Sequence, residues 1–314
     1  MTTTVAATTI KARQRPGDRV FSTASVVSGS LILAVLAAVA VFLLVESLPA
    51  FVAPADAFAG DTKNFWEYVG PLVFGTVWSA ILALVMAVPV AIGIALFISH
   101  FAPRKLAQSL GYLIDLLAAV PSVVFGLWGI TVLAPMVRPF YVTLTDWFGW
   151  FPLFEGPVSG TGRTILTVAI VLAVMILPII TAICREIFLQ TPLLHEEAAL
   201  ALGATRWEMI SMAVLPFGRP GIISASMLGL GRALGETMAV AMVLSPSPQY
   251  IFQLLTSQNP TTIAANIALN FPEAHGVGVN ILLATGLILF VVTLVVNMIA
   301  RVIINSRKAF SGAN

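Results

Sequence analysis

The sequence predicts an all-α integral membrane protein with six transmembrane helices and both termini in the cytoplasm (N-in, C-in). Three observations carry that prediction. First, 59% of the 314 residues are hydrophobic and only 10% are charged. A soluble domain carries about 25% charged residues, so this chain cannot cover a globular surface with polar groups. Second, six apolar runs reach the roughly 18 residues needed to cross a bilayer. They are 22–45, 71–99, 111–137, 163–184, 220–244 and 277–300. Third, basic residues are unevenly divided among the connecting segments. Lys11, Arg13, Arg15, Arg19, Arg104, Lys105, Arg185, Arg206, Arg219, Arg301, Arg307 and Lys308 fall on one side, and only Lys63, Arg138 and Arg163 on the other. Positively charged loops stay in the cytoplasm. The alternating pattern of an outer-membrane barrel is absent.

The elements follow in order. A polar, basic tail over 1–21 precedes an apolar run longer than the about 7–15 residues of a secretory signal, so 22–45 reads as a retained first helix. Runs 71–99 and 111–137 are long enough to tilt or to contain a break, and Pro89 and Pro121 are the expected break sites. Trp66, Tyr68, Tyr141, Trp147, Trp150 and Tyr250 flank the outer ends of helices, where interfacial aromatic belts form. The outer loops 46–70, 138–162 and 245–276 are long. Within the last, "TTIAANIALNF" (261–271) is expected as a short amphipathic helix on the membrane surface. A short tail, 301–314, ends the chain.

Composition also excludes functions. One cysteine, Cys184, permits no intrachain disulfide and no cysteine-cluster metal site. The three histidines show no ligand spacing, so no metal site is expected. A net charge of +2 gives no footprint for nucleic acid.

Between the fourth and fifth runs lies a polar segment, 191–220, with helix punctuation of its own. Thr191 is placed to cap, Pro192 suits a first helical position, and Glu196 and Glu197 favour the first turns. A helix over 193–202 stops at Gly203. Thr205 begins a second, to about Ala213, before Pro216. The result is a helix–glycine–helix hairpin presenting Ala198, Ala199, Ala201 and Ala204. On spacing alone it serves equally as a docking element or as an amphipathic hairpin resting on the bilayer.

The pattern Glu197-Ala198-Ala199-x3-Gly203-x9-Ala213-x-Leu215-Pro216 resembles the EAA loop of ABC-importer permeases, departing from it at Ala213, where the family usually has Ile. The resemblance implies a type I (MetI-like) ABC-importer core over 71–300. It implies that Glu197, Ala198, Ala199, Gly203, Ala204, Leu215 and Pro216 form a coupling hairpin that docks on a cytoplasmic ATPase. Nucleotide chemistry, with ATP and Mg, then belongs to the ATPase, and this chain binds no cofactor and is not itself an enzyme. In keeping with that, no G-x4-G-K-[ST] phosphate loop occurs; "GLGRALGET" lacks the lysine.

That imitation lies in "GLGRALGETMAV" (229–240), which puts Arg232 and Glu236 inside the fifth apolar run. An ionised side chain costs about 2.5–3.5 kcal/mol at the centre of a spanning helix, and marks a substrate or ion pathway by default. On a continuous helix the two are ~40° apart and share a small-residue stripe with Gly229. Gly231 and Gly235 form a close-packing edge beside it. Arginine before glutamate is the less favourable order for a helical ion pair. The pair is therefore expected to serve a pathway, with Thr237 beside it. A guanidinium fork matches phosphate or carboxylate oxygens, and a nearby carboxylate accepts from a protonated phosphate but repels sulfate.

"GLGRALGETMAV", together with "EEAALALGATRWEMISMAVLPF" and "AAVPSVVFGLWG" (118–129), is similar to the permeases of the high-affinity phosphate importer. That resemblance implies a permease in a bacterial inner (plasma) membrane. Its partners would be a second homologous permease, an ATPase homodimer and an external phosphate-binding protein, with inorganic phosphate as substrate. The competing readings are the sister permease of the same importer, a permease for sulfate, molybdate or another oxyanion, and a secondary transporter or channel working without ATP.

Overall fold

The computed structural model describes residues 15–58 and 62–308. Residues 1–14 of the first expected tail, with Lys11 and Arg13, and residues 309–314 of the last fall outside these residues. Twelve α-helices form the bulk of the described residues. They are α1 (Pro16–Phe51), α2 (Phe65–Leu96), α3 (Arg104–Ala118), α4 (Ser122–Trp128), α5 (Ala134–Phe148) and α6 (Ile165–Leu189), then α7 (Leu193–Ala201), α8 (Arg206–Met209), α9 (Leu215–Leu234), α10 (Met238–Val243), α11 (Ile263–Asn270) and α12 (Val277–Lys308). Single π turns extend α2 (Phe97–Phe101), join α4 to α5 (Gly129–Leu133) and join α8 to α9 (Ile210–Val214). Two-residue strands, β1 (Pro246–Ser247) and β2 (Asn259–Pro260), pair in parallel.

Six helical stretches are long and apolar enough to cross a membrane: Pro16–Phe51, Phe65–Phe101, Ser122–Phe148, Ile165–Leu189, Arg206–Leu234 and Val277–Val302. An even number of crossings puts the ends of the described chain on one side, together with the α7–α8 hairpin. That side is called the hairpin side below, and the opposite one the far side.

The body is built around α6. Two thirds (67%) of its most apolar window is covered by the rest of the chain, against 6% for α1. The reason lies in α2. Ala80, Ala83, Ala87, Ala91 and Ala95 recur at helical spacing and are at most 1% exposed. This alanine stripe lets α2 lie close along α6, whose Val168, Leu172, Ile176 and Ile180 join it in one core. Lipid is as apolar as leucine, so close contact between small residues, not escape from water, holds such helices together. Helix α1 stands apart and packs on α12, where Asn280 donates to the Glu46 backbone carbonyl at 2.7 Å.

Four expectations are corrected. Pro89 does not break its helix; α2 runs through it, as spanning helices tolerate. Pro121 does break the chain, so the third span begins at Ser122 and extends to Phe148. The first part of the expected run becomes the separate helix α3, whose Gly111 leaves room for the Arg185 guanidinium. Tyr141 belongs to no interfacial belt. It is fully buried, its hydroxyl 2.9 Å from Thr167 Oγ1.

The fourth correction matters most for function. Segment 261–271 does not lie on the membrane; Ile263, Ala264, Ala265 and Asn266 of α11 are buried. The Ile263 N–H donates to Thr76 Oγ1 at 2.9 Å. Gly75 admits the carbonyls of Pro260 and Thr261 because it has no Cβ. Asn259, fully buried, accepts from the Ile165 N–H at 2.9 Å and donates to the Thr256 carbonyl at 3.1 Å. The far-side connection thus folds back into the body and is stitched to the starts of α2 and α6. Irregular backbone is tolerated at such depth only when protein or a water-filled cavity surrounds it.

Candidate functional site: a broken helix and an exposed hairpin

The segment that carries Arg232 and Glu236 is not one helix. α9 ends at Leu234, Gly235 closes it with φ −91° and ψ 1°, and α10 starts at Met238. The backbone groups freed by the break find partners next door. The Glu236 carboxylate, 8% exposed, accepts the Ala239 N–H at 3.0 Å. The Thr237 hydroxyl donates to the Gly235 carbonyl at 3.2 Å, and the Ala241 N–H donates to the Thr237 carbonyl at 3.0 Å. A carboxylate at the N-terminus of α10 is favoured by the helix dipole and fills the role of a cap.

The other end of α10 is held by Arg163, a residue that the sequence marks only as an outer-side basic residue at the start of the fourth apolar run. Arg163 donates through Nε to the Val243 carbonyl at 3.1 Å, and through Nη2 to those of Met242 (3.1 Å) and Leu244 (3.2 Å). These are orphan carbonyls at a helix C-terminus. An anion at one end and a guanidinium at the other therefore pin a six-residue helix along its own dipole. The signal available was an arginine standing directly before an apolar run. Nothing local says that its target is eighty residues away.

The break also separates the two charges. Among the described residues Arg232 and Glu236 form no ion pair. Glu236 turns into the body, whereas Arg232, in the last turn of α9, lies on an open groove of about 620 Å³. Ile179, Ser224, Met227, Leu228, Gly231 and Asn297 line it with Arg232, so a single guanidinium and two neutral polar groups stand on an otherwise apolar wall. The shared stripe expected on a continuous helix is corrected accordingly, and so is the glycine edge. A Cβ on Gly231 would meet nothing within 4 Å, and one on Gly235 only the Gly231 carbonyl at 3.6 Å. The closely packed glycine is Gly229, where a Cβ would come within 2.8 Å of Ile180.

The hairpin forms much as its local signals require. Gly203 adopts φ +87°, a left-handed conformation that favours glycine. Thr205 and Glu208 make a reciprocal capping box: Glu208 N–H donates to Thr205 Oγ1 at 3.3 Å and Thr205 N–H to Glu208 Oε2 at 2.7 Å. Thr191 does not cap α7; Pro192 occupies that position, and among the described residues the buried Thr191 hydroxyl has no hydrogen-bond partner. Glu197 and Ala198 are exposed, Ala199 and Ala204 half-buried. Around them Leu194 and Leu202 stand 77% and 90% exposed, making the hairpin's surface partly apolar. The second arm does not stop before Pro216. It passes through the π turn, Leu215 and Pro216 into α9, making a single helical rod, Arg206–Leu234, from the hairpin to the break.

Comparison with known proteins agrees with this architecture. Residues 87–308 match the family model described as "Binding-protein-dependent transport system inner membrane component". The chain is 47% identical over 300 residues to "Phosphate transport system permease protein PstC 2" of Mycobacterium tuberculosis, covering 92% of each. It is 46% identical to the PstC protein of Mycobacterium leprae (85% of this chain, 87% of that one) and 38% identical to that of Mesorhizobium japonicum (94% and 92%). Two solved structures share the fold at low identity. One is the MetNI methionine ABC transporter in an inward-facing form (TM-score 0.52, 16% identity, 77% of this chain and 93% of that one). The other is a bacterial ABC transporter involved in import of the polysaccharide alginate (TM-score 0.53, 17% identity, 92% and 99%). With its six apolar spans, its hairpin and these matches, the chain belongs to the family of binding-protein-dependent transport system inner membrane components.

Proposed function

We propose that the chain is the permease subunit of an ATP-driven importer of inorganic phosphate, working with a second homologous permease, an ATPase dimer and an external phosphate-binding protein. One observation carries the reading. The rod Arg206–Leu234 begins at the exposed hairpin and ends at the break, with Arg232 on the groove in its final turn. A push on the hairpin is thereby delivered to the guanidinium. The phosphate-transport names of the relatives supply the substrate.

In this reading the lysine- and arginine-rich hairpin side faces the cytoplasm. Glu197, Ala198, Ala199, Gly203 and Ala204 present the docking face, and ATP and Mg are held by the ATPase. Arg232 meets the anion, since its planar donor fork matches phosphate oxygens in a site poor in competing charges. Glu236 and Thr237 serve the same pathway by holding the break. Glu236 is committed to the Ala239 N–H, so it acts as the cap of a hinge and is not paired with Arg232. Gly229 keeps α9 close against α6.

The test is ATP-driven uptake of radiolabelled phosphate into vesicles that contain all four components. Uptake that depends on ATP and on the binding protein supports the reading. Its absence from an assembled complex, with uptake of another oxyanion in its place, would refute the phosphate assignment.

A further inference from the structure

At the hairpin side the second span ends in the π turn Phe97–Phe101. There His100 Nε2 lies 3.5 Å from Glu196 Oε1 on α7, and the two side chains are only 10% and 17% exposed. The other ring nitrogen, Nδ1, is 2.7 Å from Ser99 Oγ, which is itself 2.8 Å from the Ala95 carbonyl. The ring is thus held on one side by Ser99 and set on the other against the Glu196 carboxylate. Among the described residues this is the polar side-chain contact that α7 makes, and it leads to a different span.

The same span makes a second polar contact in its far-side third, about 36 Å along the helix axis. There Thr76 Oγ1 accepts the Ile263 N–H and Gly75 seats the carbonyls of Pro260 and Thr261. Between the two ends the alanine stripe packs closely along α6, so the span runs as one continuous helix from the hairpin side toward the far side. We infer that His100 and Glu196 form the strut by which the coupling hairpin grips the second span, and that this span carries hairpin movement to residues 259–270. The inference rests on the importer reading for what moves the hairpin. It gives the chain a second line of transmission beside the rod Arg206–Leu234, and assigns positioning roles to two residues outside the EAA pattern.

The experiment uses the complete complex in proteoliposomes. ATP hydrolysed per phosphate imported should rise about fivefold or more in His100→Ala and in Glu196→Ala, with the double variant no worse than either. His100→Gln, whose amide N–H still reaches the carboxylate, should recover most of the coupling, and the ATPase should co-purify in normal yield throughout. An unchanged ratio in both single variants overturns the inference. So does a proportional fall of uptake and hydrolysis with loss of the ATPase, which would mark a merely structural contact. A second readout needs no phosphate. Gln258 is exposed in the far-side connection and the native Cys184 is buried. Thiol labelling of Gln258→Cys should change with ATP in the otherwise unaltered complex and lose that response in His100→Ala; a response that persists, or that never occurs, contradicts the strut. A complex that imports no phosphate yet shows this pattern would refute the importer reading and leave the strut standing.

Discussion

The helical rod Arg206–Leu234 is interrupted at both ends, and the two interruptions are built in opposite ways. At the hairpin, Gly203 takes φ +87° in open space, followed by a capping box whose partners are three residues apart. At the break, Gly235 sits at φ −91°, a value open to any residue, and the following helix is secured by Arg163 from eighty residues away. One turn is made by local conformational chemistry, the other by long-range contacts. The first kind is readable from a short window of sequence, and the second is not.

That contrast can be broken by substitution. The largest effect should come from Gly203→Val, which forces a β-branched residue into the left-handed region at a cost of roughly 1–3 kcal/mol. It should abolish co-purification of the ATPase; a normally assembled complex would argue that the hairpin turn is not specified by its glycine. Next comes Arg163→Ala, which leaves three carbonyls of α10 without their charged donor. A loss of about 2–3 kcal/mol is expected, read as a lower melting temperature in detergent and as increased hydrogen exchange over 238–244. Unchanged exchange there would remove Arg163 from the account of the break. Glu236→Ala should cost about 1 kcal/mol through the lost cap, and Glu236→Gln, which keeps the acceptor, distinctly less. Equal losses in the two would mean that charge, not capping, is what Glu236 supplies. The smallest effect is expected at Gly235→Ala, within about 0.5 kcal/mol, because its backbone angles are ordinary and the space is open.

The parts of the molecule legible in sequence share the same physical origin as Gly203. Six spans follow from apolar length, and the hairpin from a glycine, a proline and a threonine at fixed offsets. Pro121 ended a helix as expected because proline restricts the residue before it and removes a donor, whereas Pro89 did not, since its neighbours in a spanning helix permit it. What escaped was set by tertiary contact. The burial of α11 depends on Thr76 and Gly75, nearly two hundred residues earlier. The separation of Arg232 from Glu236 depends on a break that "GLGRALGETMAV" does not advertise, as every residue in it is compatible with a helix. The candidate residues were visible in sequence; their division into one that lines a groove and one that caps the helix after a break was not.

Uptake of phosphate by the Arg232→Ala complex is the most direct test of that division. With the ATPase still bound and hydrolysing ATP, uptake should fall on the order of 100-fold, the equivalent of losing the charged hydrogen bonds of one guanidinium. Undiminished uptake by an intact Arg232→Ala complex would contradict the account.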